Sequence, residues 1–535
     1  MPKNNEAKFG SYFKLPNSGL ESYFDRVRKG QPDEYRTTFY KGKSLREVLQ
    51  GWAPTVDKLS TTWPTLVDFE NDLAEKVGPM SIMKPLQDRM GDIDSYYESI
   101  LLDSKPISQS ALAAVVREWG NHRGLQVRNP YVTVTNMKVS TNSGSPFFTK
   151  RRSVIKKTIP FDLETKGLEI VTWFPDDTEW LNAAVLGWRG QEGGPEESDV
   201  KQRVVWMFPF AVNIAELQVY QMGIDVAKRI GFCPAWESMD AVDQRVTKLF
   251  DTKGKHDLII CTDFSKFDQH FNKDMQDGAK YILSRLLNSS SLSKEWLENV
   301  FPIKYTIPLA YDYGMIRRGK HGMGSGSGGT NFDETLVHRA LQYEAAQRQG
   351  QKLNPNSQCL GDDGMISYPG CTVEDVTLAY SSHGQDMNID KQYASEHDCT
   401  YLRRWHHTDY RVDGVSVGVY STYRALGRLC EQERYYDPEI WGARMVALRQ
   451  LSIIENCKYH PEFYQFVDYC MKGDRYRLGL DIPGFIDNLE HYADEAIDLM
   501  PDFLGYTRSL QFEGRGPGRT GISEWQVVKY LKSLK

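Results

Sequence analysis

No two cysteines in this sequence lie close enough to chelate a metal together. The eight are scattered, and the nearest neighbours, Cys359 and Cys371, stand twelve positions apart. The absence of any CxxC removes zinc knuckles and redox motifs, leaving buried thiols in a reducing compartment as the expectation. No uncharged apolar run approaches the ~20 residues that cross a bilayer. The polar opening MPKNNEAKFG has no apolar signal core, so neither a spanning protein nor export is expected. Repeats of solenoid length and long low-complexity linkers are also missing. Nor is there an excess of positive charge: 65 Lys and Arg face 71 Asp and Glu, a net −6. That argues against a surface that attracts nucleic acid everywhere, but not against a basic channel inside an acidic body, because steering follows local potential.

What remains is a chain of 535 residues, 40% hydrophobic and 12% aromatic, enough for three or four structural units and a large core. SLREVLQGWA from Ser44 and SQSALAAVVREWG from Ser108 each open with a serine suited to cap a helix. From Asn129 through the basic KRRSVIKKTIPF the chain turns β-leaning. Beyond about residue 413 it reads as helical, with Asp437-Pro438 a cap followed by proline in the first turn. Trp441, Met445, Leu448 and Leu451 then recur at helical spacing. A Gly/Pro hinge, Gly514 to Gly518, precedes a short basic amphipathic tail.

Chemistry concentrates between about 255 and 405. Leu258 to Cys261 form a short apolar run, as in a strand buried on both faces. It delivers Asp263 at its end, with Asp268 five residues on; the plainer alternative has Asp263 capping a helix that starts near Ser265. In SQCLGDDGMISY, Gly361-Asp362-Asp363-Gly364 reads as an acidic hairpin turn. Three convergent carboxylates can hold two magnesium ions ~4 Å apart for in-line phosphoryl transfer. Between them GKHGMGSGSGGTNFDET is either a linker or a loop whose backbone approaches a ligand. Its formal GxGxxG lacks a βαβ context, and the GxxxxGK mimic at Gly314 to Lys320 is followed by His321 where Ser or Thr is required.

The ordered set of motifs over roughly 140–405 resembles viral RNA-dependent RNA polymerases, most of all those of picobirnaviruses and partitiviruses. The resemblance implies an α+β right-hand fold: fingers, a palm with an antiparallel sheet and flanking helices, and a helical thumb. The implied divisions are an N-terminal segment 1–60 bridging fingers and thumb, fingers 61–207 and 277–321, palm 208–276 and 322–412, thumb 413–510, and tail 511–535. DFSKFD resembles motif A, with Asp263 the metal ligand and Asp268 reading the ribose. SGSGGT resembles motif B, placing Ser325, Gly326 and Thr330 at template and ribose. Glu334 stands where many relatives have Asn or Asp, which leaves the partner of Asp268 open and makes Asn331 a substitute candidate. GDD resembles motif C, with Asp362 the main and Asp363 the auxiliary ligand.

By the same resemblance Lys391 is the general acid toward pyrophosphate, and YLRRW, with Arg403 and Arg404, is the hairpin supporting the primer end. KQRVVW supplies the triphosphate clamp Lys201 and Arg203, joined by Arg189. TNSGSPF places Thr141, Ser143, Gly144 and Pro146 at the template entrance. The implied cofactor is a pair of Mg2+ ions, with Mn2+ a substitute. The implied partners are template and nascent RNA, ribonucleoside triphosphates and a capsid protein. The enzyme is expected to be a monomer without membrane contact, in the virion interior or host cytoplasm, and to start synthesis without a primer. Tyr435, Tyr436, Trp525 and Tyr530 are candidate buttresses for the first nucleotide, and residues 525–535 a candidate plug of the cavity. Basic residues at 150–152, 156–157, 201, 203, 317–318 and 320 are expected to line an RNA tunnel whose grip weakens with salt.

Two rivals are weighed against this. A reverse transcriptase usually has a bulky residue at the position of Asp268 and an aromatic before the paired aspartates; here Asp268 and Gly361 favour ribonucleotides. A non-catalytic RNA-binding or shell protein has no reason to keep three mutually repelling carboxylates.

Overall fold

The computed structural model describes residues 8–499 and 521–535. At its centre lies a four-stranded antiparallel sheet in the order Tyr393–Ser395, Ile259–Thr262, Asp363–Ile366, Gln358–Leu360. The pairing of Thr262 with Gly364 and Cys261 with Met365 brings Asp263 and the Gly361–Asp363 turn to one edge. Side chains alternate across the sheet. Ile260 and Ile366 face a core shared with helices Lys273–Leu286, Thr330–Arg348 and Val373–Ser381. Ile259, Cys261 and Met365 face helix Met239–Thr252. Burial on both faces explains the unbroken apolar run.

A second sheet joins distant parts of the chain in the order Lys201–Met207, Ala184–Gln191, Leu309–Asp312, Met315–Arg317. Phe9, Phe13, Leu20 and Phe24 pack on it with Val185 and Ala310. Further on, the same N-terminal region crosses the molecule. Helices Leu45–Asp57 and Pro64–Lys76 share a core with the C-terminal helices Thr422–Cys430, Pro438–Glu455 and Phe463–Gly473. The Ser44 and Ser108 hydroxyls accept hydrogen bonds from the backbone N–H of Glu47 and Ala111, as their sequence positions predict. Asp437 caps its helix through Glu439 N at 3.0 Å.

Two expectations and one weighed alternative fail. The β-leaning stretch after Asn129 is a short helix, Pro130–Thr135, because Asn129 caps it through Tyr131 N at 2.8 Å and proline suits its first turn. These local signals outweigh the β-branched residues. No helix begins at Ser265: the chain turns, with Lys266 at φ 52°, and the helix waits for its cap at Asn272. The third is the plug. Helix Gln526–Ser533 docks on the C-terminal helical core through Val527, Val528 and Leu531. Its first N–H groups, those of Gln526 and Val527, donate to Glu455. Trp525 is 7% exposed in that core and Tyr530 donates to Asp468, so neither ring stands in a cavity. The hinge 514–518 lies outside the described residues.

Candidate active site

Asp263 leaves its strand with its backbone clamped by one side chain. Its N–H donates to Gln392 Oε1 at 2.7 Å, and Gln392 Nε2 donates to its carbonyl at 2.9 Å. Sequence reading passed over Gln392; its only signal was its place beside the singled-out Lys391, which is exposed. Across the edge, Gly361 takes a left-handed φ of 58° that completes the acidic turn. Asp363 Oδ2 accepts from Leu402 N at 2.8 Å. Burial and then the Asp362 charge push its carboxyl up to about 7. Asp362 faces the open cleft but is also raised, by burial among protein atoms and by Asp268, with Arg203 opposing. Like charges are therefore held together without an internal counter-charge sufficient to neutralise them.

The partner of Asp268 is now visible. Ser325 donates to its Oδ2, and Glu334, 4% exposed, hydrogen bonds to it from below. Burial, followed by Asp268 and Asp362, drives the Glu334 carboxyl well above its ordinary range. In its protonated form it is able to donate to the Asp268 carboxylate. Asn331 instead accepts from Trp236 Nε1 at 2.8 Å. Ser325, through its carbonyl, also accepts from Trp206 N at 2.7 Å. Gly326 at φ 129° is required there, since a Cβ would lie 2.1 Å from the Trp206 carbonyl oxygen. The Thr330 hydroxyl folds onto Ser327 O at 3.2 Å.

Beneath the glycine-rich loop lies a second charged group. Ser327 Oγ and Gly328 N both donate to Glu216 on helix Phe210–Ile230, the latter at 3.2 Å. Burial raises Glu216 to about 7 although Lys304 opposes the shift. Lys304 and Asp333, both 0% exposed, pair at 2.9 Å. Tyr220 and Tyr305 each donate to Asp333 at 2.8 Å.

On the antiparallel strands Arg189 stands opposite Arg203 and Gln191 opposite Lys201, so the three cations share one face. Lys201 is held below its ordinary value by burial, then by Lys76, Arg403 and Arg203. Like charges aligned across strands destabilise a sheet. Their presence suits an anion between this face and the acidic edge. Arg189 also pairs with Glu433 at 3.2 Å.

Several expected ligand contacts do not form part of an open site. Arg404 is 9% exposed and forks onto Asp243 at 2.8 and 3.0 Å. It braces the hairpin Asp398–Tyr401 and Arg404–His407, while Arg403 in its turn is part-exposed. Ser143 is buried, its hydroxyl accepting from Thr149 N at 3.1 Å, and Gly144 and Pro146 are buried too. Thr141 alone of that set reaches the surface, half-buried. Arg317 and Arg318, assigned to the basic tunnel, are engaged by Asp94 and the Tyr12 hydroxyl.

The donors at the acidic edge are all carboxylate oxygens, which suits hard divalent cations. Among the described residues no group of three or more acidic, histidine or cysteine side chains is placed to hold a metal ion.

Comparison with known proteins agrees with this geometry. Residues 195–471 match the family model for viral RNA-dependent RNA polymerase. The chain is 60% identical over 529 residues to a potential RNA-dependent RNA polymerase of a human picobirnavirus (strain Human/Thailand/Hy005102/-), covering 98% of this chain and 99% of that one. It is also similar to two crystal structures. One is the RNA-dependent RNA polymerase of a human picobirnavirus, with TM-score 0.93 and 59% identity; the other is its insertion loop deletion mutant, with TM-score 0.91 and 57% identity. Each alignment covers 98% of this chain and 99% of the other. The fold is the expected α+β polymerase fold, and the chain belongs to the viral RNA-dependent RNA polymerases, beside the picobirnavirus enzymes.

Proposed function

We propose that this polymerase joins ribonucleotides on a template by two-metal phosphoryl transfer, replicates and transcribes a double-stranded RNA genome, and starts without a primer. The observation that carries the chemistry is the meeting of Asp263 and Asp362 at one sheet edge, with Asp363 behind them. Asp263 and Asp362 would hold two Mg2+ ions, or Mn2+ in their place, with Asp363 auxiliary. When bound, the ions supply charge neutralisation of the triphosphate and a lowered pKa for the attacking 3′-hydroxyl.

The chain's own residues do the rest. Gln392 fixes the direction of Asp263. Asp268, held by Ser325 and Glu334, accepts from the ribose 2′-hydroxyl. Lys201 and Arg203, with Arg189, orient the triphosphate, since a guanidinium fork matches phosphate oxygens. Gly326, Thr330 and Asn331 shape the loop beside the template; Arg403 supports the growing end; Lys391 donates a proton to departing pyrophosphate. Tyr436, which lines the cavity beside Arg403 and stacks on Trp441, is the best placed of the four aromatics to buttress a first nucleotide.

The division into fingers, palm and thumb carries over as proposed, supported by the sheet that unites 184–207 with 309–317. A double-stranded template must stay with its enzyme, which favours a monomer bound to capsid protein inside the particle, or at work in the host cytoplasm. The test is labelled-nucleotide incorporation on short unprimed single-stranded RNA, wild type beside Asp362→Asn, with Mg2+ and then chelator. Template-length product that vanishes in the variant and in chelator is expected. Extension of primed templates only would remove primer-independent initiation and leave the transfer chemistry standing.

A further inference from the structure

Gly361 sits at the tip of a hairpin that Leu360 and Asp363 close by pairing across the strands. It is buried, and a buried backbone N–H and C=O must both find partners. Side chains of one helix supply them. The Gly361 N–H donates to Thr335 Oγ1 at 3.0 Å, and His338 Nδ1 donates to the Gly361 carbonyl at 2.8 Å. Nδ1 carries the hydrogen because it faces an oxygen that can only accept. Thr335 and His338, 1% and 0% exposed, lie three residues apart on Thr330–Arg348 and so share a face.

The His338 ring also meets the sequence neighbour of each of the three carboxylates. Phe264, which follows Asp263, stands edge-on to it with ring centres 5.2 Å apart. Gly361 precedes Asp362. Gly364 follows Asp363, and a Cβ there would lie 2.6 Å from His338 Cε1. The second glycine of Gly-Asp-Asp-Gly is thus the place where this ring passes against the backbone. The other ring nitrogen, Nε2, is buried without a hydrogen-bond partner among the described residues, which costs free energy. A phenylalanine would fill the same space without that cost. Packing therefore does not account for a histidine here, whereas the Nδ1 donor does.

We infer that Thr335 and His338 are positioning residues for nucleotide transfer: they fix both peptide groups of Gly361 and, through it, the direction of Asp362 and Asp363, while the His338 ring sets their distance from Asp263. The inference rests on the reading of these carboxylates as metal ligands. It gives the acidic turn the device that Gln392 gives Asp263, in which side chains rather than the sheet hold the backbone beside a ligand. Both residues are enclosed. Their loss should therefore act on the transfer step and spare nucleotide binding, which falls to Lys201, Arg203 and Asp268.

The test sets H338F and T335V, which keep bulk and lose the hydrogen bond, beside H338N and T335S, which keep the bond. An asparagine amide reaches the position of Nδ1 but not the volume of the ring. On primed templates kcat should fall at least about tenfold in H338F and T335V, since a misplacement of about 1 Å costs on the order of a hundredfold. The KM for nucleotides should stay within about twofold of wild type in all four, and kcat within about threefold in H338N and T335S. Thermal midpoints at position 338 should rank the other way, with H338F close to wild type and H338N lower for its lost ring. Hydrogen exchange in chelator needs no activity. Over 358–366 it should quicken about tenfold in H338F and T335V and much less in their conservative partners.

Incorporation that follows the thermal midpoint, with H338N worse than H338F, marks a packing role and overturns the inference. Unchanged exchange over 358–366 overturns it as well. Asp362→Asn run alongside separates the inference from the reading beneath it. An active Asp362→Asn removes the metal-ligand reading. An inactive one beside fully active H338F and T335V removes the positioning role alone.

Discussion

Two clusters of charge lie on either side of the glycine-rich loop, and they are built on opposite rules. At the sheet edge Asp263, Asp268, Asp362 and Asp363 gather like charge, and burial followed by the Asp362 charge pushes Asp363 up to about 7. Under the loop, Lys304 meets Asp333, two tyrosines complete the Asp333 carboxylate, and Glu216 receives two donors. Both clusters contain carboxylates, burial and hydrogen bonds. The difference is balance. A cluster that compensates itself holds the protein's own loop in place, whereas one left short of positive charge is completed from outside. A perturbed carboxyl is informative only once its partners have been counted.

The largest expected effect separates the two rules. Asp362→Asn should lower nucleotide incorporation by at least about a thousandfold, since a lost metal ligand removes several kcal/mol of charge stabilisation. Its thermal midpoint should stay level or rise, because a repulsion disappears. Lys304→Met should do the reverse in kind. It leaves Asp333 buried without its cation, at a cost of about 3–5 kcal/mol in a denaturant titration. If Asp362→Asn unfolds the protein, or Lys304→Met leaves stability untouched, the contrast between the clusters is wrong.

Glu216 sharpens the contrast through pH. Its carboxyl is raised in the fold, from an ordinary 4.5 to about 7, so the folded state holds a proton that the unfolded chain releases. Its contribution is fully present below pH 4.5 and is lost as pH rises to about 7, an effect of about 3 kcal/mol. Stability measured at intervals across that range should show this slope in wild type and a flatter one in Glu216→Gln. An unchanged slope would mean that Glu216 is already ionised beside Lys304.

The acidic edge was legible in the sequence because its signals are local. An apolar run of strand length ends in Asp263, and a Gly-Asp-Asp-Gly turn announces its own geometry. Register then needed only one pairing, Cys261 with Met365, to bring them together. The neutral cluster was invisible for the opposite reason. Glu216, Lys304 and Asp333 are far apart in the chain, and each resembles the ordinary charged residue of an amphipathic helix. Arg404 shows the same limit. Adjacent to Arg403 and of the same type, it opens the second strand of the hairpin while Arg403 sits in the two-residue turn at φ 58°, and it reaches Asp243 on a helix 161 positions earlier. Gln392 failed to stand out because it acts through its amide on backbone, and no charge or spacing marks such a residue.

Glu334 belongs to neither rule alone, and the smallest predicted effect tests where it falls. It lies in the acidic edge, in contact with Asp268 and beside Gly361, yet it is fully enclosed. In its protonated form it donates to Asp268 and so behaves as part of the self-compensating kind. Gln can make the same donation through its amide, so Glu334→Gln should leave the KM for ribonucleotides within about twofold of wild type. Glu334→Ala removes a hydrogen bond to a charged acceptor, worth about 1.5–3 kcal/mol, and should raise that KM by about tenfold or more. The rise should be smaller for 2′-deoxynucleotides, which lack the hydroxyl that Asp268 is held in place to meet. Equal damage from Gln and Ala would show that the carboxyl works as an ionised acceptor. Glu334 would then be a fifth like charge at the edge, and Ser325 alone would be left to hold Asp268.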